Sequence, residues 1–293
     1  MSVEQSKIKG VVFILASSVI YSGMSCLIKY AAELGPWRMV LGRFVTGLCV
    51  LGTLWVSGKK PLRFTNKPLL LARGIIGSTV VMITVLSIVK IGIGKSTVIL
   101  YSYPIYASLF GALFLKEHLR PRNFAALGLA IGGLYLLVVG GNGIENGLGI
   151  GVYEVVAIIG AVGGGLAVVT IRKLHQTETS FEIFFAQCFC GAIIVVVPAI
   201  VSGGAITMSG LGMLVLIGMC AVTGQLLMTE GFRFLDVKTA SVLAMSELVT
   251  NYLIGVMVFD EAISVRAIVG AVLIAAGCVL AVSGPARVFR KAR

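Results

Sequence analysis

Residues 95–140 read KSTVILYSYPIYASLFGALFLKEHLRPRNFAALGLAIGGLYLLVVG, two apolar runs joined by the charged turn Lys116-Glu117-His118-Leu119-Arg120, with Pro104 inside the first run. The plan returns at 239–284, TASVLAMSELVTNYLIGVMVFDEAISVRAIVGAVLIAAGCVLAVSG. A constant offset of 144 lays Glu261 on Glu117, Arg266 on Arg122, Gly255 on Gly111, Gly277 on Gly133 and Gly284 on Gly140. Without a gap, the same offset pairs Lys173 with Lys29, Gly191 with Gly47, Gly218 with Gly74 and Thr223 with Thr79. One such match is ordinary chance. A series at a single offset marks a duplicated module.

Composition says where the module lives. Hydrophobic residues make up 58% of the 293, charged residues only 12%, and the mean hydropathy is +1.02. Soluble domains carry about 25% charged residues. Apolar runs of about 20 residues recur along the chain, each long enough to cross a hydrocarbon core of about 30 Å as helix. The net charge of +12 does not imply a nucleic-acid partner, because the basic residues sit in short turns between apolar runs. The six cysteines all lie inside apolar runs, and Cys188-Phe189-Cys190 is too tight for a zinc knuckle, so neither a metal site nor a disulfide framework is expected. The first run follows Lys7 and Lys9 as a signal peptide would, but it is too long for one and reads as an uncleaved helix.

Helices are predicted at 8–28, 36–57, 69–89, 96–116, 122–141, 149–171, 180–201, 209–229, 239–259 and 264–283, ten in all. The soft stretch 140–147, rich in Gly and Asn, reads as the linker between a first repeat at 1–141 and a second at 149–284. With the N-terminus in the cytoplasm, eighteen Lys and Arg fall on the inner side, Arg73, Arg172 and the basic C-terminal residues among them, against five outside, with Arg43 left over within a helix. The positive-inside rule then puts both termini in the cytoplasm. Five helices per repeat is an odd number, so the second repeat enters the membrane upside down. The expected fold is an all-α polytopic membrane protein of two inverted five-helix repeats (5+5). Inverted repeats of this kind build many secondary transporters, with substrate held near the midplane between the halves.

The proline-centred PIYASLFGALFLKEHL at 104–119, its echo ELVTNYLIGVMVFDEAI at 247–263, the Gly-rich helices after each, and Leu41-Gly42-Arg43-Phe44 together resemble the EamA-type branch of the drug/metabolite transporter superfamily, over essentially the full length. The resemblance implies a metabolite transporter of the bacterial inner membrane. The family spans amino acids, nucleotide sugars, drugs and phosphorylated sugars, and chains of this kind most resemble exporters of amino acids and other metabolites. The sequence departs from the pattern at Leu248, which stands where the first repeat has Pro104, and at Tyr21, where the family often has tryptophan.

Arg43 and Glu247 lie farthest from any loop, roughly 10 and 12 Å into their helices at 1.5 Å per residue. An ionisable group at that depth faces a cavity or a partner. They either pair with each other as a structural lock, or hold a substrate, Arg43 its carboxylate and Glu247 its amine. Asn251 shares a helix face with Glu247 at i and i+4, and Gln187 occupies the Arg43 position of the other repeat. Tyr101 and Tyr103 suit an amphipathic ligand, although a spacing of two directs them to different faces of one helix; Tyr106 reads as an interfacial anchor. Tyr21 and Gln225 are further candidates, Tyr252 and Glu154 weaker ones. Pro104 weakens the helix ladder in the first repeat alone, as a static kink or a gating hinge. Glu117 and Glu261 read as solvated or capping residues, and Gly128/Gly132 and Gly160/Gly164 as close-packing pairs.

Gly92 to Thr97 imitates a phosphate loop, but Val89 stands where its first glycine belongs and no strand precedes it. No cofactor is expected. Without a nucleotide site, transport runs on an ion or substrate gradient, a coupling proton included. An intramembrane enzyme is disfavoured, since there is no HExxH and no nucleophile-base pair, and both histidines sit in turns. A channel fits inverted halves less well than a carrier. The expected partners are a small-molecule substrate and the lipid bilayer.

Overall fold

The computed structural model describes residues 3–58, 62–140, 151–202, 207–260 and 264–283. The linker from Gly141, Glu261, Lys59 and Lys60, and the basic C-terminal residues Arg287, Arg290, Lys291 and Arg293 lie outside them. Ten candidate membrane spans are present. Eight are single helices: α1 (Val3–Tyr30), α2 (Pro36–Val56), α3 (Lys67–Ile91), α6 (Pro121–Gly140), α7 (Val152–Leu174), α8 (Ser180–Val201), α9 (Met208–Phe234) and α12 (Val265–Val282). The fourth and ninth spans, expected as continuous helices, are each two pieces. They are α4 (Ile93–Leu100) with α5 (Tyr103–Leu115), and α10 (Val237–Ala244) with α11 (Ser246–Phe259).

The second break occurs where the chain has Leu248 and no proline, so proline is not what the breaks share. Pro104 itself lies in the first turn of α5, where a missing N–H costs no helical bond. Helix ends repeat in the same way. Lys116 and Asp260, 144 apart, both cap their helices in the left-handed conformation (φ 54° and 50°) and send their N–H to the Gly111 and Gly255 carbonyls.

Packing obeys the same exchange. α1 packs on α9 and α11, as α7 packs on α3 and α5; α2 meets α9 as α8 meets α3; α2 meets α8, and α6 meets α12, across the pseudo-twofold axis. Glycines let these helices approach. A Cβ at Gly133 would sit 2.5 Å from the Gly270 carbonyl oxygen, and one at Gly277 would sit 2.7 Å from that of Ala126, the same contact with the repeats exchanged. A Cβ at Gly47 would meet Cys188, and one at Gly191 would meet Phe44, a second exchanged pair. Of the glycine pairs expected to pack, Gly160 and Gly164 do, against Ile83 with Leu100 and against Tyr103. Gly128 and Gly132 do not, having nothing within 4 Å, because they fall on the far side of α6 from α12. Large apolar side chains such as Val19, Leu113, Ile200 and Val279 are exposed around the bundle, as suits a protein whose solvent is lipid.

One end of the bundle is tied across the repeats by polar contacts. Glu117, read as solvated or capping, is buried and caps, accepting the Val237 N–H at 2.9 Å at the start of α10. Lys238 donates to the His118 carbonyl at 2.8 Å. Glu178 accepts the N–H groups of Thr65 and Asn66, and Glu182 that of Arg63. Arg172, expected among the loop charges, is buried and donates to the Phe232 and Arg233 carbonyls at the end of α9. His175 meets the Thr229 carbonyl at 2.8 Å, and burial holds its pKa below the ordinary value. At the opposite end, Glu154 pairs with Lys95 at 2.5 Å and accepts the Gly151 N–H, while the Tyr252 hydroxyl accepts the Ser264 N–H. Lys95 therefore serves an ion pair between the repeats in the stretch that imitates a phosphate loop.

Candidate functional site

Both breaks fall in mid-span, and a cavity of about 490 Å³ lies against them, within the usual range for small-molecule sites. The first repeat lines it with Tyr21, Arg43, Arg73, Tyr101 and Tyr103, the second with Gln187, Gln225 and Glu247; most of the remaining wall is apolar, Met24, Met39 and Met228 included. The wall continues along α3 to Val89 and takes in Ile28 and Pro36, so the cavity reaches towards the end of the bundle opposite the Glu117 contacts. The half-helices α5 and α11 begin beside it, and helix N-termini favour anionic groups.

Neutral partners hold the charged groups in place. Arg43 donates from Nη2 to Gln225 Oε1 at 3.1 Å, and the same oxygen accepts the Tyr21 hydroxyl at 2.9 Å. Arg73 donates from Nη2 to Gln187 Oε1 at 3.1 Å. Glu247 lies beside the Tyr101 hydroxyl. A seam of hydroxyls fixes the start of α11 on α1: Ser246 donates to Ser18 at 3.0 Å, and Ser22 meets both Thr250 and the Glu247 carbonyl. Tyr103 reaches across to the Ser241 carbonyl of α10 at 3.4 Å. Among the described residues, Arg43 Nε and Arg73 Nε and Nη1 are buried without a hydrogen-bond partner.

Of the residues expected in a site, the structure brings Tyr21, Arg43, Tyr101, Tyr103, Gln187, Gln225 and Glu247 to one cavity. Arg43 and Glu247 face it without forming an ion pair; Arg43 is bonded to Gln225 of the opposite repeat, and Glu247 lies beside Tyr101 of the opposite repeat. Tyr101 and Tyr103 were expected on different faces, yet both line the wall with ring centroids 6.4 Å apart, because the helix breaks between them. Asn251 does not line the cavity, and its Oδ1 is buried without a partner among the described residues. Pro104 is buried outside the wall, and Tyr106 packs on Gly165.

Arg73 is the residue the sequence reading missed. Its place near the start of a helix made it look like one more inner-loop charge, whereas it is 3% exposed and lines the cavity. The available signal was Gly77, one turn on. A Cβ there would lie 2.9 Å from Arg73 Cζ, so the glycine provides the bed on which the guanidinium lies.

Residues 8–139 and 152–283 each match the EamA-like transporter family. The chain belongs to that family. Among EamA-like relatives, the Pseudopaline exporter CntI of Pseudomonas aeruginosa (strain UCBPP-PA14) is 28% identical over 276 residues, covering 92% of this chain and 94% of its own. Solute carrier family 35 member G1 of Homo sapiens is 22% identical over 86% of this chain and 73% of its own. A solved crystal structure that covers 94% of this chain and 98% of its own superposes with a TM-score of 0.78 at 18% identity, a likeness of fold. The protein is thus a multi-pass membrane transporter of small molecules, of the EamA and drug/metabolite transporter kind.

Proposed function

We propose that this transporter is a secondary exporter of molecules carrying both an amine and a carboxylate, amino acids first among them. It works by alternating access in the bacterial inner membrane, with both termini in the cytoplasm. The observation that carries this reading is that Arg43 and Glu247, on different repeats, face one cavity and do not pair with each other. Burying either charge in a membrane span costs about 2.5–3.5 kcal/mol on insertion scales. A structural lock would recover that cost through a direct ion pair. Here the recovery is left to a ligand, whose carboxylate takes a charge-assisted bond from Arg43 and whose ammonium donates to Glu247.

The two ends of the bundle support alternating access. The end tied by Glu117, Lys238, Glu178 and Glu182 is the inner one by the distribution of Lys and Arg, and the cavity extends towards the other. The bias survives moving Arg73 and Arg172 out of the loop set. Export is supported by the relative named for exporting pseudopaline. Glu247 can exchange an ammonium for a proton, which makes a proton the natural coupling ion.

Counterflow in proteoliposomes tests the reading. Flux of the preferred amino acid should saturate and be accelerated by the same amino acid on the far side. Glu247→Gln keeps the volume and a hydrogen-bond acceptor beside Tyr101. It should express and resist heat as the wild type does, lose most transport, and lose the pH dependence of what remains. Normal transport by Glu247→Gln at every pH would remove Glu247 from the site, and flux without saturation would make the protein a channel. A reporter fused after Arg293 that is active only in the periplasm would overturn the orientation.

A further inference from the structure

We infer that the cavity takes a ligand with two anionic groups, one on Arg43 and the other on Arg73, beside a single ammonium on Glu247. This rests on the reading of the cavity as the substrate site and narrows the substrate to diacids that carry an amine, such as acidic amino acids and acidic dipeptides. The wall holds two guanidinium groups and one carboxylate. That carboxylate lies beside Tyr101, and each arginine hydrogen-bonds a neutral glutamine, Arg43 lying also near the Tyr21 and Phe44 rings, so neither guanidinium has an anionic partner. A ligand with one carboxylate and one ammonium leaves the site a positive charge in excess. A second carboxylate balances it.

Arginines that serve structure in this chain look different. Arg172 spends Nη1 on the carbonyls that end α9, and Arg122 puts both Nε and Nη2 on the Leu280 carbonyl near the end of α12, at 2.9 and 2.8 Å. Both satisfy carbonyls that a helix end leaves without partners. Arg73 caps nothing. It is 3% exposed, lies over the bare backbone of Gly77, and keeps Nε and Nη1 without a partner among the described residues. Nε and Nη1 point to different sides of the planar guanidinium, so either can give one charge-assisted hydrogen bond to an anionic oxygen while Nη2 stays on Gln187.

The test is direct binding to the purified full-length protein, with ligand pairs matched in volume: glutamate against glutamine, and Ala-Glu against Ala-Gln. The wild type should bind the diacid of each pair tighter, by roughly tenfold to a hundredfold, as befits one hydrogen bond to a charged group. Arg73→Gln should lower binding of the diacid far more than that of its amide and bring the two to a common level. A merely structural role for Arg73 would lower both alike. Equal binding of diacid and amide by the wild type, or a parallel loss in Arg73→Gln, overturns the second anion site and leaves the amine-carboxylate reading standing. A wild type that binds neither member of either pair overturns both. If Arg73→Gln does not fold, Gly77→Ala displaces the guanidinium and keeps its charge. An unchanged diacid-to-amide ratio in that variant overturns the proposal.

Discussion

Pro104→Ala is expected to change almost nothing, for a reason found in the other repeat. A proline inside a continuous helix removes one bond and clashes with the carbonyl four residues back, a defect of about 3 kcal/mol. Alanine in such a place would stabilise the protein by that much and straighten the span. Pro104 instead occupies the first turn of α5, where the N–H has no helical acceptor. Its counterpart Leu248 does have an N–H and gives it to the Met245 carbonyl at 3.0 Å, yet the ninth span is broken all the same. Alanine at 104 could gain the matching bond to Tyr101, worth about 0.5–1.5 kcal/mol net. Against that stands a loss of about 0.4–1 kcal/mol from the freer unfolded chain. The two nearly cancel. Heat resistance in detergent should move by less than about 4 °C, and counterflow at equal expression should match the wild type. A stabilisation near 3 kcal/mol, or transport that collapses, would refute this account and restore the proline as cause and hinge of the break.

Glu117 gives a pH signature. Burial, with Asp236 nearby, holds its carboxyl above the ordinary range. Its contribution to stability is therefore fully present below the ordinary value of about 4.3 and is lost as pH rises through the raised folded value. The wild type should gain heat resistance on acidification through that window, and Glu117→Gln should be flat; a Gln variant with the full slope contradicts the assignment. Glu117→Ala, which strands the Val237 N–H, should cost about 1–3 kcal/mol at neutral pH, and a neutral effect would show that the contact is dispensable. Gly133→Ala should cost about 1–3 kcal/mol, because the Gly270 and Ile274 backbones meet the new methyl and α6 must move away from α12. Gly132→Ala, with open space beside it, should be neutral or gain up to about 1 kcal/mol; equal losses at the two positions would sink the packing argument.

Most of the architecture was legible because it rests on signals with long range. Ten spans follow from runs of apolar residues, and their inversion follows from one offset and an odd count. Arg43 and Glu247 stood out because charge at depth is costly, and Gln187 was found through its repeat partner. The breaks at Tyr101 and Met245 were invisible because the pieces of each span are equally apolar, and hydropathy does not register a turn between them. That omission also misdirected the tyrosines, since the rule that i and i+2 diverge holds only along an unbroken helix. Arg73 was lost to its neighbours in sequence, for it lies within two turns of Lys67, the charge that begins α3. Asn251 failed for another reason. Helical spacing gives a shared face and says nothing of how far along that face a cavity extends.

Contacts across the pseudo-twofold axis and contacts that break the symmetry should behave differently during transport. If the repeats exchange conformations, a contact that maps onto itself, such as α6 on α12, is present in both states. A contact present in one copy only must be made and broken. The packing of α5 on α10 is such a contact, since among the described residues their counterparts α11 and α4 scarcely meet: Gly111 and Val237 lie there on opposite repeats, and a Cβ at Gly111 would be 3.5 Å from that of Val237. At the axis, a Cβ at Gly277 would be 3.2 Å from that of Ala130. Cysteine pairs at both places are close to the separation of about 3.5–4.5 Å that a disulfide requires. Oxidised Gly111→Cys/Val237→Cys should therefore hold the bundle in the state observed here and stop counterflow, with recovery on reduction. Oxidised Ala130→Cys/Gly277→Cys should transport as its reduced form does. Loss of transport from the axial cross-link would mean that α6 and α12 slide past each other in every cycle. Transport that continues through the Gly111–Val237 cross-link would mean that this end never opens, and alternating access through it would be excluded.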